Sequence, residues 1–331
     1  MKNKIVLVTG ATGYVGSHVC KHLQAAGHRV IGLDRVRREH ALEFIDAFFE
    51  CDYSSNQCFE MLVDVMPDAV VHCAASSLVG PSMVDPAEYY TNNVAKTAVF
   101  LHALCKLDTV PVLVFSGSAS VYGNTEHDII TEDAPWAPES PYAQSKAMCE
   151  IMITDYCRAY GLKAVIHRYF NACGADVDGG RLGQASGATH IIARLLESIR
   201  DKTPFTLYGT DYPTPDGTCV RDYVHVDDLA SAHVLSIEYL LAGGDNRVIN
   251  LGTGRGFSNR EILYAVEKHV GKVDVIYSDR RPGDVVKHVA SNDLAQLVLG
   301  WRAKHSDLET IVTSAWKWYN NPPESIDNES K

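Results

Sequence analysis

The sequence predicts an α/β fold in which a doubly wound parallel sheet is joined to a smaller domain of mixed α/β structure. Short apolar runs alternate with helical segments between residues 5 and 169, which is typical of a parallel sheet with helices on both faces. Residues 171–187 are then rich in glycine, and 207–217 in glycine, proline and aspartate, which indicates loops of a second lobe. A length of 331 residues also suggests about two domains.

The predicted elements follow one another in chain order. Ile5–Val8 is the first strand, and a glycine-rich turn leads from it into a helix over Ser17–Ala26, where apolar residues have helical spacing. We predict further strands at 29–33, 47–51, 69–73, 112–116 and 164–169, and a helix at 92–106. Core-like elements near 222–252 suggest that the chain returns there to the first domain. The first domain is assigned residues 1–175 and the second 176–331.

Charge and composition exclude several classes of function. With 30 basic and 41 acidic residues the formal net charge is -11, so no nucleic-acid partner is expected. No stretch approaches the roughly 18 continuous apolar residues that span a bilayer, and the N-terminus lacks a signal-peptide hydrophobic region, so we expect a cytoplasmic protein without a membrane partner. Nine scattered cysteines without a C-x-x-C pair, and histidines without paired spacing, predict neither disulfides nor a metal site.

A glycine-rich turn joins the first strand to the first helix, with Gly10, Gly13 and Gly16 at its key points and Tyr14 and Val15 between the last two. The glycines permit a tight turn, a close approach of backbone amides to a pyrophosphate, and close packing of the helix. This context predicts a Rossmann-type dinucleotide site. The spacing G-x-x-G-x-x-G favours the short-chain dehydrogenase branch of dinucleotide-binding proteins.

Two carboxylates follow later strands of the predicted sheet. Asp34 ends the second strand, where it can accept hydrogen bonds from the ribose hydroxyls of NAD and would repel a 2′-phosphate. Arg35 directly after it leaves NADP as the less favoured alternative. Asp52, after the third strand, is placed to meet the adenine, although an ordinary turn carboxylate is the competing interpretation.

Tyr142 and Lys146 are four residues apart, so on a helix they lie on one face. A phenol with a pKa of about 10 can act as a base only if nearby positive charge, here the ammonium and a cationic nicotinamide, lowers that pKa. Ser118, after the fifth strand, is the best candidate to hydrogen-bond the reacting oxygen, and Ser120 is the second. The alternative interpretations are a solvated helix pair and a turn-forming serine.

Motifs along most of the chain resemble those of the extended short-chain dehydrogenase/reductases and, among them, the UDP-glucose 4-epimerases. They comprise the glycine turn, 115–123, 141–146, 168–171, 174–176, 208–226, 250–252 and 280–284. The resemblance implies NAD as cofactor, a UDP-hexose as substrate and a homodimer. It also implies oxidation of the sugar at C4′ to a ketone and return of the hydride to the opposite face, which interconverts UDP-glucose and UDP-galactose without net redox change.

The resemblance can be carried over residue by residue. Ser118, Tyr142 and Lys146 match the catalytic triad, and the triad serine and tyrosine also contact substrate. Positions that hold the uridine diphosphate and its ribose match Asn171, Arg221, Arg281 and Asp284, and arginine forks suit a diphosphate. Further substrate contacts are implied for His190, Ile191, Tyr208 and His288. The cofactor side gains Cys73, Ala74, Ala75, Ser77, Asn92, Ser116 and Tyr169, besides Tyr142 and Lys146.

Some positions depart from the pattern. Ala119 and Ser120 follow Ser118 where sugar 4,6-dehydratases have an Asp-Glu pair, which argues against dehydration. Ser77 replaces a lysine that some epimerases place near the cofactor, and the loop 183–190 lacks a usual proline. A bulky ring at His288 disfavours N-acetylated sugars. The alternatives are a 4-epimerase of UDP-pentoses or UDP-N-acetylhexosamines, a net NAD(P)-dependent oxidoreductase, and a non-catalytic NAD-binding protein.

Overall fold

A computed structural model describes residues 3–125, 127–185, 187, 189–281 and 285–321. Its strands are β1 (Ile5–Thr9), β2 (Arg29–Asp34), β3 (Ala47–Glu50), β4 (Ala69–His72), β5 (Val112–Ser118), β6 (Ala164–Tyr169), β7 (Asn171–Cys173), β8 (Phe205–Tyr208), β9 (Val220–His225), β10 (Arg247–Leu251), β11 (Gly256–Ser258), β12 (Val275–Ser278) and β13 (Lys287–His288). Seven of them form one parallel sheet in the order β10-β6-β5-β4-β1-β2-β3. The predicted parallel sheet is therefore confirmed.

Helices cover both faces of this sheet and build most of the second lobe. They are α1 (Tyr14–Ala25), α2 (Glu39–Leu42), α3 (Asn56–Val65), α4 (Val79–Val84), α5 (Pro86–Tyr89), α6 (Lys96–Leu104), α7 (Pro141–Tyr160), α8 (Ile191–Asp201), α9 (Val226–Leu241), α10 (Asn259–His269), α11 (Asp293–Leu299) and α12 (Leu308–Asn320), with a π-helical segment at Tyr90–Ala95 and a 3₁₀ turn at Ala119–Tyr122. Among the residues that the structure describes, no helix has both the length and the apolarity that crossing a membrane requires.

The central strands are apolar because both faces of the sheet are covered. Val6, Leu7 and Val8 on β1 and Val70 and Val71 on β4 are fully buried, as expected of strands inside an α/β domain. The strand order reverses direction between β1 and β4. In open parallel sheets such a reversal opens a crevice at the carboxyl ends of the strands, and ligands bind there.

Helix α1 begins at Tyr14, three residues before the predicted start. Gly13 is its N-cap, with extended backbone angles (φ -74°, ψ 173°), so the helix starts inside the glycine turn itself. The early start brings the first backbone N–H groups of the helix to the crevice, where they can face an anion.

The predicted helix at 92–106 is found as a π-helical segment followed by α6. The Asn93 side-chain amide donates to the Ser76 carbonyl and the Ser145 hydroxyl, while the Tyr53 hydroxyl donates to the Asn92 carbonyl. These bonds to neighbouring elements accompany the wider helical turn. π-helical turns are frequent at functional sites, and Asn92 is one of the predicted cofactor residues.

The second lobe contains two small sheets. In one, β9 pairs with β7, β11 and β13, and in the other β8 pairs with β12. The prediction of loops at 171–187 and 207–217 is wrong at their first residues, because Asn171–Cys173 is a strand and Leu207–Tyr208 ends β8. Pairing with strands distant in sequence determines these short segments, and local composition does not reveal it.

The chain crosses back to the first sheet after β9. Strand β10 pairs in parallel with β6, and its helix α9 packs beside α1, where His22 lies 3.3 Å from the carboxylate of Asp227. Separate apolar side chains from α8, α10 and α12, among them Leu196, Ile262 and Trp318, form the core of the second lobe.

Candidate active site

A groove of about 410 Å³ lies at the carboxyl ends of the central strands. All predicted cofactor residues except Asp52 line it. They are Gly10, Gly13, Tyr14, Val15, Gly16, Asp34, Cys73, Ala74, Ala75, Ser77, Asn92, Ser116, Tyr142, Lys146 and Tyr169. The fold thus brings together side chains and backbone from five strand ends and the π-helical segment.

The glycine turn leaves room for a ligand because side chains there would collide with the backbone. A Cβ on Gly16 would lie 2.0 Å from the Gly10 carbonyl oxygen, and one on Gly10 would lie 2.8 Å from the Ala74 nitrogen. Gly10 also has a positive φ of 69°, which favours glycine. No side chain among the described residues caps the N-terminus of α1, so its N–H groups remain directed at the groove.

Two further observations fit a dinucleotide. The Asp34 carboxylate is held by the backbone N–H groups of Thr12 and Arg35 at 3.1 and 2.8 Å, which fixes it at the groove wall. The buried Oδ1 of Asn92 has no hydrogen-bond partner among the described residues, although Asn92 lines the groove. A buried polar atom without a partner is costly unless a ligand or water satisfies it.

Asp52 is placed differently from the other predicted residues. Its carboxylate accepts hydrogen bonds from Lys96 at 2.5 Å and from Ser54, and it is not among the residues that line the groove. Burial acts to raise the pKa of Asp52, but the bonds from Lys96 and Ser54 outweigh it and lower the pKa. The structure therefore supports the interpretation of Asp52 as a turn carboxylate paired with a lysine. Its neighbours Cys51 and Tyr53 line the groove instead.

Tyr142 and Lys146 line the groove, and Ser118 lies next to Tyr142. Tyr142 and Lys146 occupy the first two turns of α7, which is capped by the Ser140 hydroxyl and begins with Pro141. Lys146 is buried, and its Nζ donates to the Ser116 carbonyl oxygen at 2.7 Å. Ser118, at the end of β5, is hydrogen-bonded to Tyr142 and lies 2.8 Å from the hydroxyl of the second candidate, Ser120.

Burial shifts the pKa values of both Tyr142 and Lys146. Tyr142 is half-buried and open toward the groove. The surrounding protein atoms still raise its pKa above 10 by desolvation, while the hydrogen bond with Ser118 acts to lower it. Burial also lowers the pKa of Lys146. Burial thus dominates at Tyr142, and the predicted lowering of its pKa, which requires a bound cationic nicotinamide as well as the lysine, stays a prediction.

A second cavity, of about 150 Å³, lies in the second lobe. It gathers most of the predicted substrate residues, which are far apart in the sequence: Asn171, His190, Ile191, Tyr208, Arg221 and Arg281. The Arg281 guanidinium lies over the Tyr208 ring at 4.0 Å from its centroid. Burial lowers the pKa of His190 to about 4, so its ring is neutral at pH 7. Asp284 lies outside the described residues.

His288 lies close to this cavity without lining it. It pairs in register with Arg221 across β13 and β9, and its ring centroid is 5.1 Å from that of Phe170. Its buried Nε2 has no hydrogen-bond partner among the described residues. Residues 169–171 link the two sites along the chain, because Tyr169 lines the groove, Asn171 lines the cavity and Phe170 lies between them.

Several residues that line the two sites have no role predicted from the sequence. Arg194 and Asn259 line the second cavity, and Arg38 and Tyr53 line the groove. Arg194 stands four residues after His190, so helical spacing could have indicated it. No local signal indicates the other three.

Comparisons with known proteins agree with this geometry. Residues 6–252 match the model of the NAD-dependent epimerase/dehydratase family. The chain belongs to this family. The predicted resemblance and the predicted fold are both confirmed.

Members of the NAD-dependent epimerase/dehydratase family match this chain over nearly its full length. The UDP-glucose 4-epimerase of Azospirillum brasilense is 43% identical over 327 residues, which cover 97% of this chain and 93% of that protein. The crystal structure of UDP-glucose 4-epimerase from Brucella ovis in complex with NAD has a TM-score of 0.92 at 40% identity, covering 96% of this chain and 98% of that one. A UDP-glucose 4-epimerase from Bifidobacterium longum in complex with NAD+ and UDP has a TM-score of 0.88 at 32% identity, covering 97% and 99%.

Proposed function

We propose that this chain is an NAD-dependent UDP-glucose 4-epimerase, an isomerase that interconverts UDP-glucose and UDP-galactose. One observation carries the assignment: Tyr142, which is hydrogen-bonded to Ser118, and Lys146 line a dinucleotide groove that is joined through residues 169–171 to a cavity with three arginines. Relatives of this name match nearly the whole chain, and solved neighbours contain NAD. These relatives confirm the predicted activity and the predicted cofactor, NAD.

The groove residues have distinct roles toward NAD. In this proposal the glycine turn and the N-terminus of α1 hold the pyrophosphate, and Asp34 accepts hydrogen bonds from the ribose hydroxyls. When bound, NAD supplies reversible hydride transfer to and from the sugar carbon. Lys146, anchored on the Ser116 carbonyl, keeps its positive charge close to Tyr142.

The second cavity is assigned the nucleotide part of the substrate. Arg221 and Arg281 pair with the diphosphate, with Asn171 as a further polar contact, because a dianion requires fixed positive partners. Tyr208, His190 and Ile191 form the surrounding wall, and Asp284 is proposed as a contact to the ribose. Residues 1–175, with the returning segment 222–252, then serve mainly the cofactor, and the rest of 176–331 serves the substrate together with Asn171.

Tyr142 is the proposed base. It removes the proton from the sugar O4′ while Ser118 hydrogen-bonds the same oxygen, and it returns a proton after the sugar has turned over. Because burial raises the pKa of Tyr142, this step depends on the nearby Lys146 ammonium in the bound state. The His288 ring near the cavity favours hexoses over N-acetylated sugars.

We also propose a cytoplasmic homodimer. Apolar side chains on the outer faces of α6 and α7 are exposed, including Val99 (46%), Met148 (40%) and Ile151 (52%), and pairing of two copies would cover them. All nine cysteines are free, as is usual for proteins in a reducing compartment.

The function is tested by incubating the purified chain separately with UDP-galactose, UDP-N-acetylgalactosamine and UDP-arabinose and separating the products. Conversion of UDP-galactose to UDP-glucose, with no net rise in reduced nicotinamide, is expected. Conversion of only one of the other two sugars would assign that substrate instead. Steady reduction of added NAD would show a net oxidoreductase.

A further inference from the structure

A chain of buried hydrogen bonds leads from the groove to a helix on the far side of its wall. The Tyr169 hydroxyl, at the end of β6, lies 2.8 Å from the Ser116 hydroxyl on β5 and is also hydrogen-bonded to Nε2 of His233 on α9. His233 is fully buried, and its Nδ1 lies 2.8 Å from the Leu229 carbonyl oxygen. Tyr169 and Ser116 line the groove, whereas His233 lies behind them.

The chemistry of these groups fixes the direction of the bonds. A carbonyl oxygen only accepts, so the Nδ1 of His233 carries the ring proton and donates to Leu229. Burial lowers the pKa of His233 to about 4, so the ring is neutral at pH 7 and its Nε2 is an acceptor. The single phenol proton of Tyr169 therefore goes to Nε2 of His233 and is shared with the Ser116 hydroxyl oxygen, while the Ser116 hydroxyl donates its own proton to the Cys73 Sγ at 3.1 Å.

Ser116 links this chain to the catalytic residues. Its carbonyl oxygen accepts the hydrogen bond from the Lys146 ammonium at 2.7 Å. The side chain of Ser116 is thus held by Tyr169, and its backbone holds Lys146. A change in the orientation of the Tyr169 phenol would therefore alter the position of the Lys146 ammonium through Ser116 alone.

We propose that His233 is a positioning residue for the reaction: it orients the Tyr169 phenol and, through Ser116, the Lys146 ammonium. The role rests on the proposed function, because it matters for turnover only with NAD in the groove. His233 lines neither the groove nor the second cavity, so it would act only through Tyr169. Packing around the ring does not fix the direction of the phenol O–H, which can rotate about the C–O bond unless an acceptor holds it.

The test compares His233→Gln with His233→Asn in the NAD-loaded enzyme. The glutamine amide can occupy the position of Nε2 and accept from Tyr169, whereas the shorter asparagine reaches only the position of Nδ1. We expect kcat with UDP-galactose to fall about tenfold in His233→Asn and less than about threefold in His233→Gln, with KM within about twofold of wild type in both variants. The tenfold fall corresponds to about 1.4 kcal/mol, which is the contribution expected of one buried hydrogen bond.

A double-mutant cycle separates positioning from packing. In a Tyr169→Phe background, which lacks the phenol hydroxyl, we expect the difference between His233→Asn and His233→Gln to shrink to less than about twofold. Equal kcat values for the two variants, or an undiminished difference without the hydroxyl, would overturn the proposal. If His233→Asn does not fold, Tyr169→Phe alone decides, and a kcat within twofold of wild type overturns it. A wild-type chain that isomerises no UDP-sugar would instead refute the proposed function.

Discussion

Arg168 and Glu150 form a buried ion pair that joins β6 to α7. The Arg168 Nη2 lies 2.8 Å from the Glu150 Oε2, its Nε lies 3.2 Å from both carboxylate oxygens, and the two side chains are only 3% and 2% exposed. Glu150 is one turn after Lys146, and Arg168 directly precedes Tyr169. The pair therefore holds the helix of the proposed base against the strand that ends in the groove.

Loss of this pair is expected to destabilise the fold. Glu150→Gln leaves the Arg168 guanidinium buried without its counter-charge, and we expect the free energy of unfolding to fall by about 3–5 kcal/mol. Urea unfolding followed by circular dichroism measures the change. Glu60→Gln, at an exposed position of α3, is the matched control and should stay within about 0.5 kcal/mol of wild type. A similar small loss in Glu150→Gln would show that the pair contributes little.

Replacing the proposed base should separate binding from turnover. Tyr142→Phe removes the hydroxyl that carries the proton but leaves the ring in the groove wall, so kcat should fall by about 10²- to 10⁴-fold. NAD content after purification and the Kd for UDP, measured by calorimetry, should stay within about threefold of wild type. The exposed Tyr264→Phe serves as the control. Activity that survives in Tyr142→Phe would contradict its assignment.

The neighbouring arginines Arg280 and Arg281 should behave differently. Arg281 lines the second cavity, whereas Arg280 is exposed and forms an ion pair with Asp211 at 2.7 Å. Lysine cannot reproduce a planar fork on a diphosphate, so Arg281→Lys should raise KM about tenfold or more with little change in kcat. Arg280→Lys should leave KM within about twofold, because an exposed ion pair contributes little. Steady-state kinetics with UDP-galactose checks both, and equal effects would argue against a diphosphate contact of Arg281.

Buried histidines should make the fold sensitive to acid. Burial lowers the pKa of five histidines in the folded protein, to about 3 in His72 and to about 4 in His190, His225, His233 and His288. Their rings are therefore neutral at pH 7. An unfolded histidine has a pKa of about 6.5, so the unfolded chain binds more protons below that pH. These histidines therefore do not lower the free energy of unfolding above about pH 6.5, and they lower it progressively as the pH falls toward about 4. Burial raises the pKa of Asp222 to about 6, which offsets one histidine in this range.

Unfolding free energies measured between about pH 7 and 5 test this expectation. Each buried histidine contributes a slope of up to about 1.4 kcal/mol per pH unit, so His288→Gln should flatten the dependence by about that amount. His127→Gln changes an exposed histidine and is the matched control. Identical slopes in wild type and His288→Gln would show that His288 does not titrate on unfolding.

Much of the fold and of the cofactor groove could be predicted from local patterns. The alternation of apolar runs and helices indicated the parallel sheet, and the glycine turn indicated the dinucleotide site, because both depend on residues adjacent in the sequence. Helical spacing placed Tyr142 and Lys146 on one face of α7. The resemblance then supplied the substrate residues, whose separation along the chain hides any local signal.

Only the tertiary structure could decide the remaining features. The sequence alone determined which residues can turn, pair or carry charge, since these are properties of single residues and their near neighbours. Their final partners and pKa values depend on burial and on strand pairing between distant segments. For this reason Asp52 binds Lys96, burial raises the pKa of Tyr142, and His233 meets Tyr169 from across 64 residues of sequence.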